Sequence, residues 1–120
     1  MKTVKRSECA VLPLVLKGEW YDMIASGEKR EEYREGKPYW YVRMRNWTKP
    51  AYEDGKTPVV EFRRGYAAGA PKIAFAAKRG VYGYWTFLQG SVPPRHPEWG
   101  ERNIPRYVIR LGERVEMEEW

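Results

Sequence analysis

Residues 11–34 read VLPLVLKGEWYDMIASGEKREEYR, and that stretch leaves few ways to fold. Residues 11–16 are apolar and β-branched enough for a buried strand. Pro13 has no N–H for a ladder, so it places that strand at a sheet edge or at a strand start. Gly18 then caps a short helix whose first turn carries Glu19 and Asp22, where unpaired N–H groups favour negative charge. Trp20, Met23 and Ile24 fall at i, i+3 and i+4 and form the face that packs on a sheet. Gly27 stops the helix as a left-handed residue just past its end, and residues 30–34 run extended. A strand, a helix and a second strand so close together require a helix layered on a sheet.

The remainder continues that mixture. Pro38 suits the first turn of a short helix over residues 36–49, GKPYWYVRMRNWTK, with PAYEDGKTP following as loop. Residues 59–64 (VVEFRR) predict a strand, and GYAAGAP a connection without an element of its own. Residues 72–78 and 81–87 are strand-like runs joined at Arg79-Gly80, either a hairpin or one bent strand with a bulge. The Pro/Gly-rich stretch 88–104 is a long loop of the kind that often carries function. Residues 105–111 form a strand and 114–117 another. The whole predicts one α+β domain over residues 1–120, a small mixed β-barrel with one or two short helices.

Composition excludes several classes. The apolar run ends at Lys17, far short of the roughly 20 residues needed to cross a bilayer or of a signal-peptide core, which predicts a cytosolic protein without a membrane segment. Cys9 and His96 are the only residues of their types, so neither a disulfide framework nor a zinc site built on Cys and His is expected. His96 sits in PPRHPEW and reads as a loop residue; no cofactor is called for. Residues 1–110 hold 21 Lys/Arg against 12 Asp/Glu (+9), and the last ten hold one Arg against four Glu (−3), which gives the net +6. A positive body of this kind concentrates polyanions near its surface.

Residues 27–34, GEKREEYR, fit the pattern G-x-K-x-x-E-x-R after a short strand and helix. The pattern resembles the signature of ASCH domains, a PUA-like branch mostly associated with RNA. The resemblance implies a PUA-like barrel and an RNA or nucleotide ligand held in a cleft around Lys29, Glu32 and Arg34. Glu32 and Arg34, two apart, share a face in an extended segment, so Lys29 must stand on the preceding turn if all three are to converge. There Lys29 or Arg34 would grip phosphate or a base edge, and Glu32 would orient them or accept a base amino group. The plainer alternative is a solvated charge pair on a barrel rim.

Segment 36–49 adds Lys37, Arg43, Arg45 and Lys49, with Tyr39, Trp40, Tyr41 and Trp47 and no carboxylate. Cations beside aromatics suit single-stranded RNA, whose bases stack at about 1–3 kcal/mol each. Arg43 and Arg45 are the expected contacts; Trp40 and Trp47, seven apart, share a helix face, which makes at least one of them core. Tyr84 or Trp85 would line a base pocket, and the loop residue Trp99 would serve as a lid or a stacking contact, although packing explains all three as well.

Two other readings use the same residues. An enzymatic branch resembling this family hydrolyses an acetylated cytidine amide with the motif lysine, a Thr three residues later and a glutamate on a later strand. Lys29 and Glu61 match, but Glu32 stands where the hydroxyl residue would be, and a carboxylate there stabilises the protonated lysine. Cleavage of RNA by Glu32 or Glu61 with Lys29 and Arg34 is the other hydrolytic reading. Outside hydrolysis, the acidic tail and Trp120 suggest a protein-interaction module.

Overall fold

A computed structural model describes residues 1–89 and 105–118. In chain order these form β1 (Lys2–Val4), a 3-10 turn (Arg6–Glu8), β2 (Cys9–Leu16), α1 (Gly18–Ala25), β3 (Glu31–Glu35), α2 (Pro38–Asp54), β4 (Thr57–Arg64), β5 (Lys72–Ala77), β6 (Thr86–Leu88) and β7 (Arg106–Met117). The strands make one mixed sheet in the order β1-β7-β5-β4-β2, with β3 and β6 also paired to β7. β2–β4 and β1–β7 are parallel and the other pairs antiparallel.

β2 is an edge strand, as Pro13 requires. It pairs with β4 along its length, and no ladder joins it to β1 among the described residues. The sheet is therefore open, not the closed barrel expected from the sequence. Two features explain the gap: β1 is only three residues long, and β2 offers no N–H at Pro13.

β7 is one continuous strand where two were expected. Residues 106–110 pair with β3 and residues 106–108 also with β6, while residues 111–117 meet β5 and β1. Between Ala77↔Leu111 and Phe75↔Arg114, β5 advances two residues and β7 three, which is a bulge. The extra residue reverses the parity of β7. Tyr107, Ile109 and Leu111 join the main core, whereas Val115 and Met117 join a smaller cluster with Val59 and Ala74. Gly112 sits in the bulge, and a Cβ there would lie 3.0 Å from the Ala76 carbonyl oxygen.

Both helices pack on the main-core face, over Leu12, Leu14, Val60 and Phe62. α1 buries Tyr21 and Ile24, leaving Trp20 half-buried at its flank, so the packed face is turned by about one residue from the expected one. The Arg64 guanidinium clamps this helix to β4: Nε donates to Asp22 Oδ1 and Nη2 to Oδ2, both at 3.1 Å. Gly18 makes room for it, since a Cβ there would fall 2.6 Å from Arg64 Nη2.

α2 is longer than expected and runs through Pro50 to Asp54, where Gly55 (φ 67°) ends it. Proline cannot donate to the Asn46 carbonyl, a defect that normally costs a helix about 3 kcal/mol. Packing outweighs it: Met44, Trp47 and Thr48 are buried, and Trp47 Nε1 donates to the Ala10 carbonyl at 2.9 Å. Burying such side chains stabilises by about 1.5–3 kcal/mol each.

Pro50→Ala is expected to raise stability by about 2 kcal/mol, part of the helix gain being offset by a freer unfolded chain. Urea unfolding checks this, and a lower midpoint would mean that the ring is needed for packing. The hydrogen bonds from Arg64 hold the Asp22 carboxyl below its ordinary pKa. A depressed carboxyl stabilises the fold above its unfolded pKa and loses that contribution as pH falls through the folded value. Wild type should therefore lose more of its melting temperature between about pH 5 and 3 than Asp22→Asn does.

Candidate functional site

The site begins with the chain reversal after α1. Gly27 takes φ 83°, its N–H donates to the Ile24 carbonyl at 3.1 Å, and the Lys29 N–H donates to the Met23 carbonyl at 3.0 Å. Ser26 secures the turn by donating its hydroxyl to Met23 O and accepting from the Glu28 N–H. The reversal leaves Lys29 on the turn before β3, with its side chain directed inward and only 7% exposed. Its ammonium stands 5.5 Å from the Trp20 ring centre and 5.8 Å from that of Tyr33.

β3 supplies the counter-charge. Glu32 is 2% exposed. Its Oε1 accepts from Lys29 Nζ at 3.2 Å and from the Tyr33 N–H at 2.9 Å, with Arg34 Nη1 at 3.5 Å. Oε2 is shielded from solvent and has no hydrogen-bond partner among the described residues. A buried carboxylate oxygen without a donor is costly, and a ligand N–H brought to it would relieve that cost.

Arg34 extends the site toward α2. Its guanidinium lies 5.2 Å from the Trp40 ring centre, and that of Arg43 lies 5.3 Å from the same ring. Arg43 is held by donation to Tyr39 Oη at 3.3 Å and the Pro13 carbonyl at 3.4 Å. Lys29 and Arg34 thus contact the Glu32 carboxylate, and Arg43 meets Arg34 at the Trp40 ring. Such an arrangement can hold an anion on planar, bidentate donors beside an aromatic ring.

The remaining expected residues are dispersed. Glu61 pairs with Ala74 across β4–β5 on the face of the smaller cluster, opposite Val60 and Phe62, and binds Arg6 Nη1 at 2.5 Å. Glu32 pairs with Ile109, on the main-core face, so the sheet separates Glu61 from Lys29. Arg45 lies on the opposite flank of α2 from Arg43 and lines a different groove. Tyr84 is half-buried, with Tyr52 at 5.7 Å and the Arg79 guanidinium 5.6 Å from its ring. Trp99, His96 and Trp120 lie outside the described residues. Cys9 makes a weak nucleophile, because burial and then Glu8 push its thiol pKa up.

Sequence reasoning assigned Trp20 to packing and missed Tyr33 and Arg106. Arg106 is buried with its guanidinium 5.3 Å from the Tyr33 ring. Nothing in the local pattern marks an arginine at the start of a strand as an interior residue. Trp20 and Tyr21, adjacent on a helix, offered a weak signal, since only one of them can face the core.

No family model matches this chain, and neither a curated protein nor a solved structure was found to match it. No helix among the described residues is long and apolar enough to cross a membrane.

Removing one partner of a buried ion pair costs about 3–5 kcal/mol, because the other charge is left without compensation. Glu32→Gln is expected to fall in that range, and Lys29→Met/Glu32→Gln to cost at least about 1 kcal/mol less than the summed single variants. Urea unfolding of the four proteins measures the coupling, and strict additivity would show that the two groups act independently.

Proposed function

We propose that this chain is an ASCH-type, PUA-like protein that binds single-stranded RNA or a nucleotide-like ligand at Lys29, Glu32, Arg34, Trp40 and Arg43. The observation that carries the reading is the placement of two guanidiniums over one indole, beside a buried carboxylate whose Oε2 has no donor among the described residues. A phosphate has bidentate donors in Arg34 and Arg43, a base has the Trp40 ring to stack on, and its N–H has Glu32 Oε2 to reach. On this reading the open mixed sheet is a PUA-like barrel unclosed between β1 and β2.

Binding is proposed, and a reaction is not. Hydrolysis of a cytidine amide would need a second acid near Lys29, and Glu61 lies across the sheet from it. Lys29 Nζ is itself engaged by Glu32 Oε1 at 3.2 Å, so it is not free to meet a substrate as a base or nucleophile.

The test is a titration of labelled single-stranded RNA of mixed sequence at low and moderate salt, with a gel to detect cleavage. Arg34→Ala/Arg43→Ala is expected to weaken binding by about 10- to 100-fold, each lost phosphate contact also flattening the salt dependence. RNA affinity unchanged in that variant would remove the site from the interface. Cleavage products that accumulate with wild type and vanish with the variant would replace binding by catalysis.

A further inference from the structure

α2 carries a second groove on the flank opposite Arg43. It encloses about 530 Å³ between α2 and the hairpin that precedes β6, with Arg45, Lys49, Tyr52, Glu53, Tyr82 and Trp85 in its walls. The hairpin is closed by two hydrogen bonds between Gly80 and Gly83 and presents Val81 and Tyr82 at its tip. Gly83 takes φ 107°, and a Cβ on it would fall 2.2 Å from the Tyr52 hydroxyl, so the hairpin sits hard against the helix. Trp85 is fixed at the base of the groove, its indole N–H donating to Thr48 Oγ1 at 3.2 Å.

Two properties set this groove apart from an ordinary solvated surface. Neither Arg45 nor Lys49 forms an ion pair among the described residues, whereas Arg6, Arg34, Arg64 and Arg110 all do. Tyr82 and Tyr52 are 82% and 55% exposed, a large aromatic surface beside free positive charge. Tyr82 and Trp85 also line an adjoining cavity of about 300 Å³ together with Lys78 and with Arg110, which is paired to Glu31 at 3.7 Å. Cations, aromatics and cations again follow one another around the hairpin.

We infer that this groove is a track for single-stranded nucleic acid, separate from the motif site and placed across α2 from it. Phosphates lie on Arg45 and Lys49 at one end and on Lys78 at the other, with a base stacked on Tyr82 between them. The inference takes its ligand class from the function proposed above and adds to it. A mononucleotide fills the motif site alone, whereas an oligonucleotide that passes around the helix engages both. Affinity therefore rises with strand length, because the second contact is made within an already bound molecule.

The experiment compares uridine monophosphate and a fluorescein-labelled 12-nucleotide poly(U) RNA, with poly-glutamate as competitor, on wild type, Arg45→Ala/Lys49→Ala, Tyr82→Ala and Arg34→Ala. All these side chains lie at or near the surface, and circular dichroism confirms that each variant is folded. Expected for the 12-mer are about a 10-fold loss with Tyr82→Ala and, with Arg45→Ala/Lys49→Ala, a salt slope shallower by about 1.4, for two lost phosphate contacts on a single strand. Mononucleotide affinity should be unmoved by either. A 12-mer that Arg34→Ala weakens and the groove variants do not would overturn the track while leaving the motif site intact. Failure of the 12-mer to bind at low salt overturns the track, and mononucleotide binding then judges the motif site by itself. Poly-glutamate displacing the RNA at equal charge concentration would show a site for acidic protein chains and overturn the assignment to nucleic acid.

Discussion

The architecture depends on a one-residue slip in β7. A regular strand keeps alternate side chains on one face throughout, so residues 107 and 115 would point the same way. The bulge at Gly112 breaks that rule and lets one strand supply the main core with its first half and the smaller cluster with its second. Without it, either Val115 and Met117 or Tyr107 and Ile109 would face the wrong side. β7 also binds four partners, β1, β3, β5 and β6, so the slip sets the position of β3 and with it that of Glu32 and Arg34.

Charge burial at the motif follows from that placement. Glu32 shares the face of Ile109 and is carried into the interior, where an isolated carboxylate would be strongly unfavourable. The turn at Gly27 answers it by directing Lys29 inward to within 3.2 Å. Arg34 adds a second cation from the same strand, and α2 brings Trp40 and Arg43 alongside. The result is a compensated negative charge with positive charge left over, which suits an anionic ligand better than a reactive lysine.

α2 divides the surface chemistry of the chain. Its cations read in sequence as one basic segment, but two residues on a helix are separated by about 200°. Arg43 accordingly faces β2 and the motif, and Arg45 faces the hairpin of Gly80–Gly83. The buried stripe of Met44, Trp47 and Thr48 runs between them, and packing of that stripe also carries the helix past Pro50.

Local rules made part of the protein legible. Pro13 marks an edge strand, Gly27 ends α1 in the left-handed conformation, and Pro38 opens α2, because each depends on backbone geometry within a few residues. The parity of residues 29–34 likewise required Lys29 to stand off the strand if it was to meet Glu32, and it does. The sequence did not determine the helix beyond residue 49, the single run of β7, the opening between β1 and β2, or the face on which Glu61 lies. Those outcomes rest on contacts between residues far apart in the chain, such as Trp47 with Ala10 and Ala77 with Leu111. Sequence alone thus determined where the backbone turns and which charges sit near one another along the chain. Tertiary structure decided which of them share a face, because a bulge or a helix flank reverses direction at a place that no local pattern marks.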